Sequence, residues 1–151
     1  MNAPDLAVRK EVVVTRNVED TFRIFTEELG EWWPLDSTYS VLQGEAVTAV
    51  MEPKEGGRIY ELTADGREGD WGTVLEFDPP NGLTMQWHPG YGAETATTVV
   101  VKFEAIREDK TRLVLVHSGW EVHGPDAEPM AGGYATGWDF VLGCLLEHVG
   151  T

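Results

Sequence analysis

Apolar and polar positions follow two different rhythms along this chain, and the changes between them mark out an architecture. Residues 9–15 (Arg-Lys-Glu-Val-Val-Val-Thr) are rich in β-branched side chains and predict a first strand. Asn17 then stands where a helix N-cap belongs, with Glu19 and Asp20 in the first turn, where negative charge is favoured. Val18, Phe22, Phe25 and Leu29 recur at three- and four-residue steps, which is one face of a helix, and Gly30 is expected to stop it. Trp32-Trp33-Pro34 is expected to begin a second short turn or helix.

From about residue 43 to 120 the texture changes to short strands. Candidate strands are Ala46–Met51, Arg58–Thr63, Trp71–Phe77, Leu83–His88, Thr95–Ala105 and Arg112–Val116. Glu55-Gly56-Gly57, Ala64-Asp65-Gly66, Asp78-Pro79-Pro80-Asn81-Gly82 and Glu108-Asp109-Lys110 punctuate them as turns. Strands so closely spaced predict an antiparallel meander. Between Met130 and Val149 the helical step returns, carried by Trp138, Val141, Leu142, Leu145, Leu146 and Val149.

The order is strand, one or two helices, about six strands, long C-terminal helix. This is an α+β pattern, expected to form one domain over residues 1–151. A large sheet must bury its apolar face, and the last helix carries the complementary stripe. A curved antiparallel sheet wrapped around that helix, completed by the first strand, satisfies both and leaves room for a cavity between them.

Alternation assigns side chains to faces. Leu83, Met85 and Trp87 share one side, as do Val99, Val101 and Phe103. Trp71, Thr73, Leu75 and Phe77 are expected to oppose Glu76, and Leu113, Leu115 and His117 to point inward together. The outer side of the last strand, Val114 and Val116, is also apolar. Its cover comes either from a second copy in a homodimer or from long side chains on neighbouring strands.

Composition narrows the partners. The net charge is −15, from 11 Lys+Arg against 26 Asp+Glu. Nucleic acid and anionic membrane surfaces are disfavoured, because binding them rests on cations that neutralise phosphates. A chain of 151 residues buries roughly 68–70% of its unfolded surface and needs no disulfide or metal to fold. The single cysteine, Cys144, lies in the apolar pattern of the last helix and reads as a small core residue. Met1-Asn2-Ala3-Pro4-Asp5 lacks the basic start and apolar core of a signal peptide, and no run reaches the ~18–20 apolar residues of a membrane span. A cytoplasmic location is expected.

The stretch His117-Ser118-Gly119-Trp120-Glu121-Val122-His123-Gly124 concentrates chemistry at the join between sheet and helix. The spacing His-x3-Glu-x-His does not match a helical zinc site, so no metal is expected. A histidine oriented by Glu121 would suit acid–base work; polar groups satisfied at a strand end account for the same residues. Ser118-Gly119-Trp120 lacks the glycine-bracketed elbow of an attacking serine. Neither Glu55-Gly56-Gly57-Arg58 nor Gly132-Gly133 forms a phosphate loop, and no dinucleotide fingerprint occurs, so no cofactor is expected. Six tryptophans suit a pocket for a mostly apolar ligand with some polar groups, and equally suit the packing beneath a curved sheet.

Several stretches in this order carry a resemblance. They are Val18-Glu19-Asp20-Thr21-Phe22-Arg23-Ile24-Phe25 leading to Trp32-Trp33-Pro34, then Gly56-Gly57-Arg58-Ile59-Tyr60-Glu61, and Asp70-Trp71-Gly72-Thr73-Val74. Pro79-Pro80, Leu83-Thr84-Met85-Gln86-Trp87, Thr111–Trp120, His123-Gly124 and Gly137-Trp138 follow. Over about residues 9–150 the chain resembles the START-like, Bet v 1-like superfamily (SRPBCC). Within it, the chain is similar to single-domain proteins grouped with the C-terminal domain of the Hsp90 ATPase activator. The resemblance implies a helix-grip fold, a sheet of about six or seven strands around a long C-terminal helix with two short helices near the start. It also implies relatives that bind lipids, hormones, antibiotics or polyketides, and some cyclases. It carries over no catalytic residue.

Three readings of function follow. In the first, an apolar or aromatic small molecule sits between sheet and C-terminal helix. Trp71, Trp87 and Trp138 then supply apolar surface, Tyr60, His117 and Trp120 orienting hydrogen bonds, and Trp33 a place near the mouth. In the second, a hydrolase or cyclase uses His117 or His123 with Glu121. In the third, the chain is a regulator of an Hsp90-type chaperone or another interaction module.

Overall fold

The computed structural model describes residues 6–37, 39–42, 44–89 and 92–150. The reading of residues 1–5 as lacking a signal peptide lies outside them. Among the described residues, seven strands form one antiparallel sheet: β1 (Val8–Val14), β2 (Ala46–Met51), β3 (Arg58–Thr63), β4 (Glu68–Asp78), β5 (Gly82–Trp87), β6 (Thr97–Arg107) and β7 (Lys110–Ser118). Their spatial order is β1-β7-β6-β5-β4-β3-β2, so the meander runs unbroken and β1 closes its far edge. Two short helices, α1 (Val18–Glu27) and α2 (Leu29–Trp32), follow β1, and a long helix, α3 (Ala127–Val149), ends the chain. This is the α+β helix-grip arrangement.

Local chemistry explains the element boundaries. The Asn17 side chain accepts the Asp20 amide at 2.7 Å and caps α1. Phe22 and Phe25 of α1 meet Phe103 of β6 at ring-centroid distances of 5.1 and 5.6 Å, and Phe22 also meets Phe77. Helix α3 buries Trp138, Val141, Leu142, Leu145 and Val149 against the concave side of the sheet. Its C-terminal end is tied back by the Arg16 guanidinium, which donates to the Val149 carbonyl at 2.6 Å. No helix among the described residues is long and apolar enough to cross a membrane.

Two expectations need correction. Gly30 does not stop the first helix; it lies inside α2. A Cβ there would strike Thr48 Oγ1 and the Ala49 backbone, so glycine is required by the close approach of α2 to β2. In β4 the expected inward row Trp71, Thr73, Leu75, Phe77 fails in its middle. The register shifts opposite Ile59/Tyr60 and again between Val74 and Glu76. Each bulge reverses the alternation. Trp71 is therefore buried, Val74 replaces Thr73 in the core, and Leu75 is exposed.

On the outer side of β7, neighbouring side chains cover Val114, while Val116 is half-buried. Val114 pairs with Glu11 and Lys102, and Arg112 bridges Glu11 and Glu104 across the same face. Val114 is buried within the single chain.

Candidate functional site

A cavity of about 460 Å³ lies between the sheet, α3 and the segment that joins α2 to β2. Its walls are the indoles of Trp33, Trp71, Trp87 and Trp138, with Tyr39, Ser40, Val41 and Pro89. One face of α3 completes it with Met130, Gly133, Tyr134, Gly137 and Val141. No acidic or basic side chain lines it among the described residues. The four indoles form one cluster: Trp33 lies 4.5 Å from Trp71, 6.0 Å from Trp87 and 5.9 Å from Trp138. Trp87 in turn lies 5.7 Å from Trp71 and 5.5 Å from Trp138.

Each indole reaches the cavity from a different element. Trp33 caps α2, Trp71 sits at the β4 bulge, Trp87 ends β5, and Trp138 lies mid-way along α3. At Trp71 the chain continues into Gly72, where a Cβ would collide with the Gln86 carbonyl oxygen. The absence of a side chain there lets β4 and β5 close beside the bulge.

Five of the six indole N–H groups have acceptors. Trp32 donates to the Ile24 carbonyl, Trp33 to the Tyr39 carbonyl, Trp71 to Glu61, Trp120 to the His117 carbonyl and Trp138 to His117 Nδ1. The Trp87 indole nitrogen is buried and has no hydrogen-bond partner among the described residues. Buried donors are rarely left so, and each costs about 1–3 kcal/mol.

His117 and Trp120 lie behind the cavity wall. The His117 ring packs against Tyr134 at 4.8 Å and Trp120 at 4.2 Å. Trp138 donates to its Nδ1 at 3.0 Å, which puts the ring proton on Nε2, 2.6 Å from Thr97 Oγ1. Thr97 then donates to the Trp87 carbonyl at 3.3 Å. Burial, with a smaller contribution from His123, pushes the His117 pKa down to about 3. The ring is neutral at physiological pH with both nitrogens engaged, and Glu121 is exposed. The pairing of His117 with Glu121 for acid–base work therefore does not form. No group of three or more metal-binding side chains occurs among the described residues.

Tyr60 is turned away from the cavity. In β3 the buried positions are Ile59, Glu61 and Thr63, so Tyr60 faces the outer side, where the Arg58 guanidinium covers its ring at 4.4 Å. The residue that sequence reasoning passed over is its neighbour. Glu61 is fully buried, and its carboxylate accepts from Trp71 Nε1 at 2.8 Å, Ser40 Oγ at 2.8 Å, the Leu42 amide at 3.0 Å and the Val41 amide. Its position two residues after Ile59 was a usable signal. Its backbone donors, on a loop without a motif, were not.

The profile of the family described as activator of Hsp90 ATPase homolog 1-like protein matches residues 16–148. The chain belongs to this family. It is 35% identical to a solved anthrahydroquino-gamma-pyrone synthase, Txn09, in complex with the compound SUM (TM-score 0.57, covering 80% of this chain and 81% of that one). It is 25% identical to the self-sacrificing resistance protein CalC of Micromonospora echinospora (TM-score 0.69, 96% and 94% covered). The dimeric Aha1 of Colwellia psychrerythraea shares its fold at 16% identity (TM-score 0.67, 95% of each chain). No curated protein matches the chain.

Proposed function

We propose that this family member binds an uncharged, flat aromatic molecule that carries hydrogen-bond acceptors, held between the sheet and α3. The observation that carries the reading is the four-indole cavity, with charged side chains absent from its described lining and one indole N–H unpaired. Cavities of this size suit drug-sized ligands, and π surface selects flat rings. A charged guest would lose its hydration without compensation there. The unpaired Trp87 N–H favours a carbonyl or phenolic oxygen on the ligand. The 35% identity to a synthase of a fused-ring pyrone supports the same ligand class.

That likeness also favours a second reading, in which the cavity shapes a substrate for ring closure. In it the walls hold the reacting conformer, and His117, with both ring nitrogens engaged, supports the wall from behind.

Titration with 1,8-dihydroxyanthraquinone tests binding through tryptophan fluorescence. Saturable quenching is expected with one molecule bound per chain, seen also as a non-covalent adduct in native mass spectra. The complex should be lost in Trp138→Ala. Quenching that never saturates, or that survives Trp138→Ala unchanged, overturns the assignment.

A further inference from the structure

We propose that Tyr39–Leu42 is a latched jaw of the cavity, which opens for ligand passage, and that Glu61 is its latch. The inference rests on the ligand-binding reading and adds to it a moving part.

The segment belongs to no helix or strand, so no backbone ladder holds it. Its ties to the body are few and converge. Ser40 Oγ and the amides of Val41 and Leu42 all donate to the buried Glu61 carboxylate, and the Tyr39 carbonyl accepts from Trp33 Nε1. One side chain of β3 therefore anchors three successive residues. A carboxylate is suited to this, being an acceptor at every site, and bonds of this kind are strong but few enough to break together.

The segment also rests on two places where a side chain is missing. A Cβ on Gly69 of β4 would lie 3.1 Å from Leu42 Cγ and 3.3 Å from Val41 Cγ1. A Cβ on Gly137 of α3 would lie 2.8 Å from Tyr39 Cε1. Glycine weakens strand and helix interiors alike, so its presence at both contacts fits seats shaped for the segment. Beyond Gly137, the Tyr39 ring meets the exposed Phe140 at 5.6 Å. That contact spans the gap between the segment and α3, while Tyr39, Ser40 and Val41 line the cavity from within.

The latch is shared with the wall. Glu61 also accepts from Trp71, whose ring lines the cavity and packs on Trp33. A molecule pressing on Trp71 acts on the same carboxylate that holds the jaw, so occupancy and closure are mechanically joined.

Stopped-flow binding of 1,8-dihydroxyanthraquinone, followed by tryptophan quenching, tests this in wild type, Glu61→Gln and Gly137→Ala. Glutamine places an NH2 among donors and undoes part of the latch. Alanine at 137 displaces Tyr39 while favouring the helix, so it loosens the jaw in a protein that urea melts no more easily. Association and dissociation rates are both expected to rise on the order of tenfold in each variant, with affinity moving much less. Should Glu61→Gln not fold, Gly137→Ala decides alone. Unchanged rates with binding intact overturn the jaw and leave the cavity reading standing. Absence of saturable binding to the wild type overturns the cavity reading, and the jaw with it.

Discussion

Trp71 and Trp87 stand with ring centroids 5.7 Å apart in one cavity wall, yet only Trp71 has an acceptor for its indole N–H. Replacing either by phenylalanine removes similar volume, so the difference between the variants isolates the hydrogen bond. Trp71→Phe takes a donor from the buried Glu61 carboxylate, whereas Trp87→Phe removes a donor that had no partner. Urea unfolding should show Trp71→Phe the less stable of the two by about 1.5–3 kcal/mol. Equal losses would contradict the contrast.

The same unpaired N–H gives a binding prediction. Trp87→Phe should weaken 1,8-dihydroxyanthraquinone, which presents carbonyl and phenolic oxygens, on the order of tenfold. N-phenyl-1-naphthylamine, which lacks a carbonyl or phenolic oxygen, should bind both proteins alike. Equal weakening of both compounds, measured by fluorescence titration, would mean that lost ring area, not the N–H, was responsible.

His117 makes stability depend on pH. Its pKa is about 3 in the folded chain and ~6.5 when unfolded, so between these values the unfolded state binds the extra proton. Stability from this residue is complete above the unfolded value and declines as pH falls from there towards 3. At pH 5 the loss is about 2 kcal/mol relative to neutral pH. Glu28, held low chiefly by its hydrogen bond to His148, acts further down, because a depressed carboxyl destabilises only as it is protonated below its usual range. Urea melts at pH 7 and pH 5 should show the decline in wild type and a much smaller one in His117→Asn. In the folded protein the His117 ring signals should not titrate between pH 5 and 8.

Two glycines should respond in opposite senses to alanine. At Gly72 the added methyl meets the Gln86 carbonyl oxygen, a backbone atom held on both sides by the sheet. Gly72→Ala should lose more than about 3 kcal/mol or fail to accumulate in soluble form. Gly132 lies inside α3 with open space around it, so Gly132→Ala should gain up to about 1 kcal/mol from helix propensity. That gain corresponds to a rise in Tm of roughly 2–4 °C by calorimetry.

Repetition decided what could be read from sequence. Strands β2 and β3 fall where alternation and turn residues put them, as do the Asn17 cap and the inward rows of β5, β6 and β7. The indoles of Trp33, Trp71, Trp87 and Trp138 meet at one cavity because each is carried by an element facing the same interior. Where a single residue breaks the repeat, periodicity gives the wrong face. The β4 bulges turn Leu75 outward, and Tyr60, suited to a ligand by its chemistry, follows the outward phase that its neighbours Ile59 and Glu61 set. Ser40, Val41 and Leu42 act through a loop whose path depends on a distant carboxylate, and no local pattern encodes that.

The hydrogen bonds from Trp138 through His117 and Thr97 to the Trp87 carbonyl cross from α3 over β7 and β6 to β5. Leucine and valine contacts resist pulling a helix off a sheet, but they offer little resistance to its rolling about its own axis. A directed bond does resist it. Each residue of roll turns a helix by roughly 100°, so pinning Trp138 fixes the azimuth at which α3 shows Tyr134, Gly137 and Val141 to the interior. What a guest meets on that side is set by an angle. The angle is held by which nitrogen of one buried ring carries its proton.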